Sequence, residues 1–190
     1  MSVTRCGWVS DDPLYMAYHD NVWGRAVYDP LELFEKLCLD GQQAGLSWIT
    51  ILKKQVNYQA AFANFNPVEI AEFDESKVET LMQDKGIVRN RLKVNSIIKN
   101  AKAYLAFVEQ GGDFAKFLWD FVGGQPIVNQ FTSPAEVPAQ TAESEAMSKA
   151  LKKMGFNFVG PTICYAFMQA CGLVDDHLVE CCCRVDIIDG

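Results

Sequence analysis

The chain has 190 residues but no apolar run that approaches the roughly 20 residues of a membrane-spanning helix. Residues 1–6 lack the apolar core of a signal peptide. There is also no internal repeat and no low-complexity segment. These absences argue against a membrane protein. They predict one domain spanning residues 1–190, a cytoplasmic location and no membrane partner.

The cysteines do not show the pattern of a secreted disulfide scaffold. Their number, seven, is odd, and three of them are adjacent at positions 181–183. A chain of this length buries roughly 70% of the surface that its unfolded form exposes, so it can fold without disulfide bonds. The cysteines therefore indicate buried thiols in a reducing compartment, or metal ligands.

Basic residues are fewer than acidic ones, 17 against 24, which gives a net charge of −7. Taken alone, this balance argues against a nucleic-acid partner. Two windows, however, contain basic residues and no acidic ones, between Asp84 and Glu109 and between Glu145 and Asp175. They are compatible with a local basic face, and equally with two ordinary solvated helix faces. The bases in these windows are Lys85, Arg89, Arg91, Lys93, Lys99 and Lys102, and then Lys149, Lys152 and Lys153.

Strand-like alternation is missing, and apolar residues recur at helical spacing through most of the chain. Capping residues followed by proline, as in Asp29-Pro30, predict helix starts, and glycines such as Gly41 predict helix ends. The fold class that this pattern predicts is all-α. The expected helices cover residues 30–41, 45–65, 74–82, 90–110, 113–122, 141–154 and 161–171, with a long connection over 123–138.

Two of the predicted helices, near residues 146–172, flank a short turn with a glycine at each end, Gly155 and Gly160. Backbone N–H groups of such a turn and of the following helix would point outward and suit a phosphate oxygen. Lys152 and Lys153 come just before the turn. Helix-hairpin-helix modules grip DNA in this way without reading its sequence. Ordinary helical hairpins also contain glycine turns, so a purely structural interpretation remains open.

Histidine is scarce, and both histidines lie close to a cysteine in the sequence. Cys6 precedes His19 by thirteen residues, and Cys181 follows His177 by four. Two thiolates and two imidazoles can form a closed tetrahedral zinc site that joins segments 6–19 and 177–181. The spacing matches no standard zinc finger, so surface histidines and buried thiols are the alternative. The two cysteines after 181 could also compete for the fourth position.

Large aromatic residues precede a polar, glycine-containing run that extends from Asp40 to Trp48. A carboxylate, two amides and several rings can hold a flipped base between aromatic faces and read its edge. A cationic alkylpurine would add a cation–π interaction of roughly 0.5–2 kcal/mol. Leu46, beside Gly45, could fill the gap that the flipped base leaves in the duplex. The same rings also suit a hydrophobic core, and the same run a solvated loop. The upstream aromatic candidates are Trp8, Tyr15, Tyr18 and Trp23.

Together, and in this order, these features closely resemble the type I 3-methyladenine DNA glycosylases, a branch of the helix-hairpin-helix superfamily. The resemblance extends from Arg5 to Cys183, nearly the whole chain. It implies that family's helical fold, with a structural Zn²⁺ that joins the N- and C-terminal segments and no organic cofactor. It also implies a monomer that acts on double-stranded DNA containing alkylated purines. The most specific stretches are 5–9, 15–20, 41–50, 155–172 and 176–183.

The resemblance also assigns roles to individual residues. A zinc site, a base pocket, a DNA-probing wedge and a DNA-binding hairpin are implied. The zinc ligands map to Cys6, His19, His177 and Cys181, and the pocket to Tyr18, Trp48 and Asp40, with Trp8, Tyr15 and Trp23 as further aromatic candidates. The wedge maps to Leu46 beside Gly45, and the hairpin to Gly155, Phe156, Phe158 and Gly160 with Lys153 nearby.

Two residues depart from the family's pattern. Asp40 stands where the family usually has a glutamate, and its side chain is one methylene shorter. It would need a water molecule or a backbone shift to reach the base. Pro161 follows the last glycine of the turn; proline suits the first position of a helix, but it has no N–H to offer a phosphate.

The resemblance implies hydrolysis of the bond between base and sugar without an amine nucleophile. Methylation at N3 makes the adenine cationic, so the leaving group is already activated. No lysine stands out as a Schiff-base nucleophile, and we expect no lyase activity. Asp40 is the candidate functional and catalytic carboxylate, chiefly through base recognition. Asp175 and Asp176 lie where related enzymes carry a catalytic aspartate, but the sequence assigns neither of them that role.

Three other functions fit the sequence. The chain could be a zinc-containing protein that recognises damage without cleaving it, a glycosylase for a broader set of alkylpurines, or a purely structural helical domain. Base release that is lost in Asp40→Ala would exclude the first. DNA binding that weakens with salt would exclude the last.

Overall fold

The structure, a computed structural model, describes residues 3–184, and most of that range is helical. The predominance of helix that the sequence predicts is confirmed. The helices within the described range are α1 (Pro13–Asn21), α2 (Pro30–Gln42), α3 (Trp48–Leu52), α4 (Gln55–Ala61), α5 (Pro67–Ala71), α6 (Glu75–Met82), α7 (Arg91–Glu109), α8 (Phe114–Asp120), α9 (Ala142–Met154) and α10 (Pro161–Ala170).

Most helix starts follow the capping residues in the sequence. The side chains of Asp29, Asn90, Asp113 and Thr141 accept backbone hydrogen bonds at the starts of α2, α7, α8 and α9. Each such cap stabilises its helix by about 1 kcal/mol, because it satisfies an N–H group that has no partner inside the helix. The predicted positions of these four helices are therefore confirmed to within a few residues.

The single helix predicted over residues 45–65 is wrong. The chain instead forms α3, α4 and a 3₁₀ turn at Ala63–Phe65. Gly45 has a φ of +75°, which ends helical geometry before α3, and all three residues of the 3₁₀ turn also have positive φ. Phe65 is nevertheless buried in the core. The apolar pattern of this segment therefore reflects which side chains are buried, and it does not require one continuous helix.

The all-α prediction omits a short parallel pair of strands, β1 (Ile127–Val128) and β2 (Val174–Asp175). Two residues per strand are too few to show alternation in the sequence. The backbone N–H of Asn129 extends the pairing by donating to the carbonyl of Asp175 at 3.0 Å. The pair attaches the long connection over 123–138 to the segment after α10, and so fixes the backbone just before His177.

Helix α2 lies at the centre of the fold and packs against α7 and α10. One face of α2 carries Leu33, Phe34 and Leu37, which are fully buried in the core. Lys36 and Asp40, one helical turn apart, extend from α2 into a pocket instead. Among the described residues, no helix combines the length and the apolar character that crossing a membrane requires.

Candidate functional site

A pocket of about 400 Å³ opens between α1, α2 and α10. The sequence leaves open whether the aromatic candidates form a pocket or the core, and the structure places all of them on the pocket wall. Trp8 is 37% exposed at its rim, whereas Tyr18 and Trp23 are largely buried. The predicted residues that line it are Trp8, Tyr15, Tyr18, Trp23, Asp40 and Trp48.

The rings hold one another in place. The ring centroid of Trp8 lies 5.0 Å from that of Tyr15 and 5.0 Å from that of Trp23. Tyr18 and Trp48 form a tilted pair with centroids 5.6 Å apart. Rings at these distances stabilise each other beyond the area that they bury. The aromatic wall is thus ordered before any ligand enters.

Two buried polar atoms in this wall lack a hydrogen-bond partner among the described residues. They are Oδ2 of Asp40 and Nε1 of Trp48. An unsatisfied buried polar atom costs about 1–3 kcal/mol, so each is a position where a ligand gains by supplying a partner. One atom is an acceptor and the other a donor. The pocket can therefore recognise the hydrogen-bonding edge of a planar ligand.

Lys36, which the sequence pattern did not single out, places its ammonium inside the pocket. Its Nζ donates to Oδ1 of Asp40 at 2.9 Å and lies 3.4 Å from the ring centroid of Trp48. The side chain of Lys36 is 13% exposed. Burial, the largest single influence, lowers the pKa of Lys36, but the nearby acidic groups, Asp40 first among them, together outweigh it and hold that pKa above its usual value. The i,i+4 spacing of Lys36 and Asp40 was the signal that could have identified the pair.

Burial raises the pKa of Asp40, and the nearby charge of Lys36 opposes that rise. The two side chains thus act as one ion pair with little access to water. Lone charges in such surroundings are costly, whereas a hydrogen-bonded pair is tolerated. Lys36 therefore favours the charged form of the carboxylate that the sequence singles out.

The structure separates the two aspartates to which the sequence gave no role. Asp176 lines the pocket, where its carboxylate accepts hydrogen bonds from the hydroxyl of Tyr165, from Gln169 at 2.9 Å and from Asn129 at 2.7 Å. Asp175 points away from the pocket towards the imidazole of His177. Nothing in the sequence pattern indicated that Tyr165 and Gln169 would meet Asp176.

A second cluster lies behind the aromatic wall. Ligand atoms of Cys6, His19 and Cys181 lie within 4.8 Å of one another. The ring of His177 contacts that of His19 edge-on, with centroids 5.3 Å apart, and its buried Nε2 has no partner among the described residues. The four predicted metal ligands therefore converge on one place. Three of them form the cluster, and the fourth contributes an unsatisfied nitrogen beside it.

Carboxylates orient both imidazoles of this cluster. Nδ1 of His19 lies 2.8 Å from Asp20, and Nδ1 of His177 lies 2.7 Å from Asp175. Such contacts fix the ring and leave Nε2 as the free ligand atom, which is the usual arrangement around zinc. Burial raises the pKa of the Cys6 thiol to about 12. A thiolate here needs a cation, and a donor set of thiolates and imidazoles suits Zn²⁺.

The predicted alternatives at the fourth ligand position also lie nearby. Cys183 is 3.5 Å from Oδ1 of Asp20, and Cys182 is exposed. If Cys182 or Cys183 were the fourth ligand, the buried Nε2 of His177 would still lack a partner. The geometry thus favours the set that includes His177.

The hairpin turn uses more of its N–H groups internally than the sequence suggests. Gly155, with a φ of +102°, and Phe156 donate to carbonyls at the end of α9, and Asn157 donates to Asn100 at 2.8 Å. The bonds of Gly155 and Phe156 form a glycine-ended helix cap, and that of Asn157 joins the turn to α7. The N–H groups left for an outside partner therefore begin at Phe158 and continue to the start of α10, where Gly160 has no side-chain cap.

The ring of Phe156 is 3% exposed and stacks on Phe114. The structure therefore gives Phe156 a packing role instead of the predicted contact with DNA. Phe158 is only partly buried. Its backbone passes close to Gly41, so a Cβ added to Gly41 would lie 3.1 Å from the carbonyl oxygen of Phe158. The hairpin thus packs directly on the end of α2.

Two basic side chains of the first acid-free window make their contacts within the protein. Arg91 pairs with Glu75 and Glu79. Lys93 is buried, and its Nζ donates to carbonyls at the end of α2, that of Gln42 at 2.7 Å among them. The predicted basic face is correspondingly smaller. In the second window, Lys149, Lys152 and Lys153 are exposed.

Lys93 instead secures the loop that carries the predicted wedge. It also donates to the carbonyl of Ala44 at 2.5 Å, just before Gly45. Leu46 follows and is 42% exposed at the tip of the loop between α2 and α3. An apolar side chain on a rigid, protruding turn is suited to entering a gap in another molecule.

Comparison with known proteins connects this geometry to a family. The family model described as methyladenine glycosylase matches residues 8–184. The chain belongs to this family. It is 60% identical over 179 residues to DNA-3-methyladenine glycosylase 1 of Escherichia coli (strain K12). The aligned region covers 94% of this chain and 96% of that protein.

Solved structures of the family have the same fold. A crystal structure of 3-methyladenine DNA glycosylase I is 56% identical and superposes with a TM-score of 0.95, covering 96% of this chain and all of the other. A variant of 3-methyladenine DNA glycosylase I, in complex with 3-methyladenine, is 38% identical with a TM-score of 0.92. That alignment covers 96% of this chain and 98% of the other. The helical fold expected from the resemblance is confirmed.

Proposed function

We propose that this chain is a DNA-repair glycosylase that flips 3-methyladenine out of the duplex and hydrolyses its bond to the sugar. The observation that carries the proposal is the aromatic pocket with its unpaired acceptor on Asp40 and unpaired donor on Trp48. Membership of the methyladenine glycosylase family supports it. So does the complex of a structural relative with 3-methyladenine.

Base recognition follows from these two atoms. Adenine presents an amino group, which is a donor, next to ring nitrogens that accept. Oδ2 of Asp40 suits the amino group, and Nε1 of Trp48 suits a ring nitrogen. The rings of Tyr18 and Trp48 supply faces for stacking. Guanine places a carbonyl oxygen where adenine has the amino group, so its edge would set an acceptor against the carboxylate.

Beyond holding the base through these hydrogen bonds and stacked rings, the protein needs to contribute little to the chemical step. The base bears a positive charge in the alkylated nucleotide, and it keeps both electrons of the C1′–N9 bond when that bond breaks. It therefore leaves as a neutral molecule and requires no proton from an acid. Water then adds to the sugar carbon, and the proton that it loses passes to the solvent. Flipping exposes this bond, and the pocket selects which base stays flipped long enough to react.

DNA binding would use two protrusions on the protein. Leu46, carried by Gly45, would enter the stack in place of the flipped base. The start of α10 beyond Gly160 would face a phosphate, with Lys153 and its neighbours adding positive charge. We include this helix-hairpin-helix contact in the proposal, although the N–H groups of Gly155 and Phe156 donate to carbonyls of α9.

We further propose that Cys6, His19, His177 and Cys181 hold a structural Zn²⁺. The unpartnered, buried Nε2 of His177 and the approach of the ligand atoms of Cys6, His19 and Cys181 to within 4.8 Å of one another support this assignment. Such an ion has no open coordination position, so it stabilises the fold and takes no part in base removal. Here it would tie the segment before α1 to the segment after β2, directly behind the aromatic wall.

The seven thiols, none of which forms a disulfide in the described residues, suit a reducing compartment such as the cytoplasm. A single domain over residues 1–190 and a monomeric state remain parts of the proposal. The residues after 184 lie outside the described range. No organic cofactor is needed for the reaction.

The test is the release of free bases from methylated duplex DNA, separated by chromatography. The wild-type protein should release 3-methyladenine, and Asp40→Ala should lose this activity while its circular dichroism stays that of a folded protein. Asp11→Ala, which removes an exposed aspartate outside the pocket, is the matched control and should behave as wild type. Binding to damaged DNA without any base release would instead support the damage-recognition alternative.

A further inference from the structure

The ammonium of Lys36 lies against one face of the Trp48 ring, inside the pocket. It lies 3.4 Å from the ring centroid of Trp48, 5.8 Å from that of Tyr18, and 2.9 Å from Oδ1 of Asp40. Stacked planar groups approach to roughly 3.5 Å, the contact distance of carbon atoms. A base and this ammonium therefore cannot occupy the same face of Trp48 together, and Lys36 has to move before a base stacks there.

Lys36 also decides the charge of the pocket. Among the described residues that line it, Lys36 is the only lysine or arginine, and the acids are Asp40 and Asp176. Asp176 already accepts three hydrogen bonds, so Asp40 is the carboxylate with an oxygen still free. A cationic base that enters finds the charge of Asp40 neutralised by Lys36. Without Lys36, the same cage would offer a cation both an aromatic face and an unpaired carboxylate.

We propose that Lys36 is a specificity-determining residue that weakens the pocket's preference for cationic bases over neutral ones. Its ammonium competes with any base for the face of Trp48, and it additionally repels a base that carries a positive charge. The same aromatic cage without the lysine would therefore bind cationic bases in stronger preference to neutral ones. This inference rests on the proposed function, because it takes the pocket around Asp40 to be the base-binding site.

The test compares two free bases that differ in charge. The probes are 3,9-dimethyladeninium, which is cationic at pH 8, and 3-methyladenine, which is neutral at pH 8. Their dissociation constants are measured calorimetrically at pH 8 for the wild-type protein, Lys36→Met and Lys36→Arg. Lys36→Gln is a second neutral variant, should the methionine variant fold poorly. Lys116→Met is the matched control, since Lys116 and Asp120 form a second i,i+4 pair that is exposed on α8.

We expect Lys36→Met and Lys36→Gln to raise the affinity for the cation at least tenfold more than that for the neutral base. Lys36→Arg and Lys116→Met should keep the wild-type ratio of the two constants. An unchanged ratio in both neutral variants would overturn the inference, even if both affinities rose, because the lysine would then act only by filling space. If the wild-type protein binds neither base and Asp40→Ala still releases 3-methyladenine from DNA, the proposed pocket itself is wrong, and the inference falls with it.

Discussion

Removing the carboxylate of Asp40 should destabilise the protein, because it leaves the ammonium of Lys36 buried without its partner. Breaking a buried ion pair on one side costs about 3–5 kcal/mol. Lys36 is 13% exposed and can reach some water, so the lower value, about 3 kcal/mol, applies to Asp40→Ala. For a chain of this size, that corresponds to a fall in Tm of roughly 6–12 °C.

The double variant Lys36→Met/Asp40→Ala distinguishes this cause from simple loss of packing. With both charges gone, no lone ion is buried, and the double variant should unfold within about 1 kcal/mol of wild type. Asp120→Ala, which breaks the exposed pair with Lys116, should cost less than about 1 kcal/mol. Thermal unfolding followed by circular dichroism measures all of these variants. A double variant no more stable than Asp40→Ala would show that lost packing, and not the lone charge of Lys36, causes the instability.

Three further predictions follow from the geometry. Gly24→Ala should lose zinc on dialysis, because the added Cβ would lie 2.5 Å from the imidazole of His177; Gly123→Ala, at a similar positive φ with nothing within 4 Å, should retain it. Equal zinc contents by mass spectrometry would contradict this. Burial raises the pKa of Tyr58 to about 12, so its contribution to stability is complete below pH 10 and is lost as the pH rises to 12. Tyr58→Phe should therefore lose less stability over that range in urea titrations, and a loss equal to that of wild type would contradict this. Replacing Lys152 and Lys153 by alanine should weaken binding to abasic duplex and flatten its salt dependence; an unchanged slope would show that neither contacts phosphate.

The parts of the fold that local chemistry determines could be predicted from the sequence. The caps at Asp29 and Thr141 and the glycine at Gly155 act within a few residues, and the helices that they bound are where the sequence places them. The pairing of β1 with β2 depends on contacts between distant segments. A single chain read for periodicity carries no signal for those contacts.

The candidate site divides in the same way. Residue types with specific chemistry identified the aromatic wall and the four candidate metal ligands, and the structure brings each set together. Lys36 and Asp176 belong to the pocket through the direction of their side chains. That direction depends on how α2 and the segment after β2 pack, so charge in the sequence alone did not reveal it. The burial of Lys93 was missed for the same reason.

The central claim is removal of 3-methyladenine from DNA, and the most direct measurement is the identity of the base that the zinc-loaded wild-type protein releases. Duplex DNA treated with a methylating agent contains both 3-methyladenine and 7-methylguanine. Chromatography of the soluble products under single-turnover conditions should show rapid release of 3-methyladenine and little 7-methylguanine. A folded, metal-loaded protein that releases no base would contradict the account, and so would equal release of both bases.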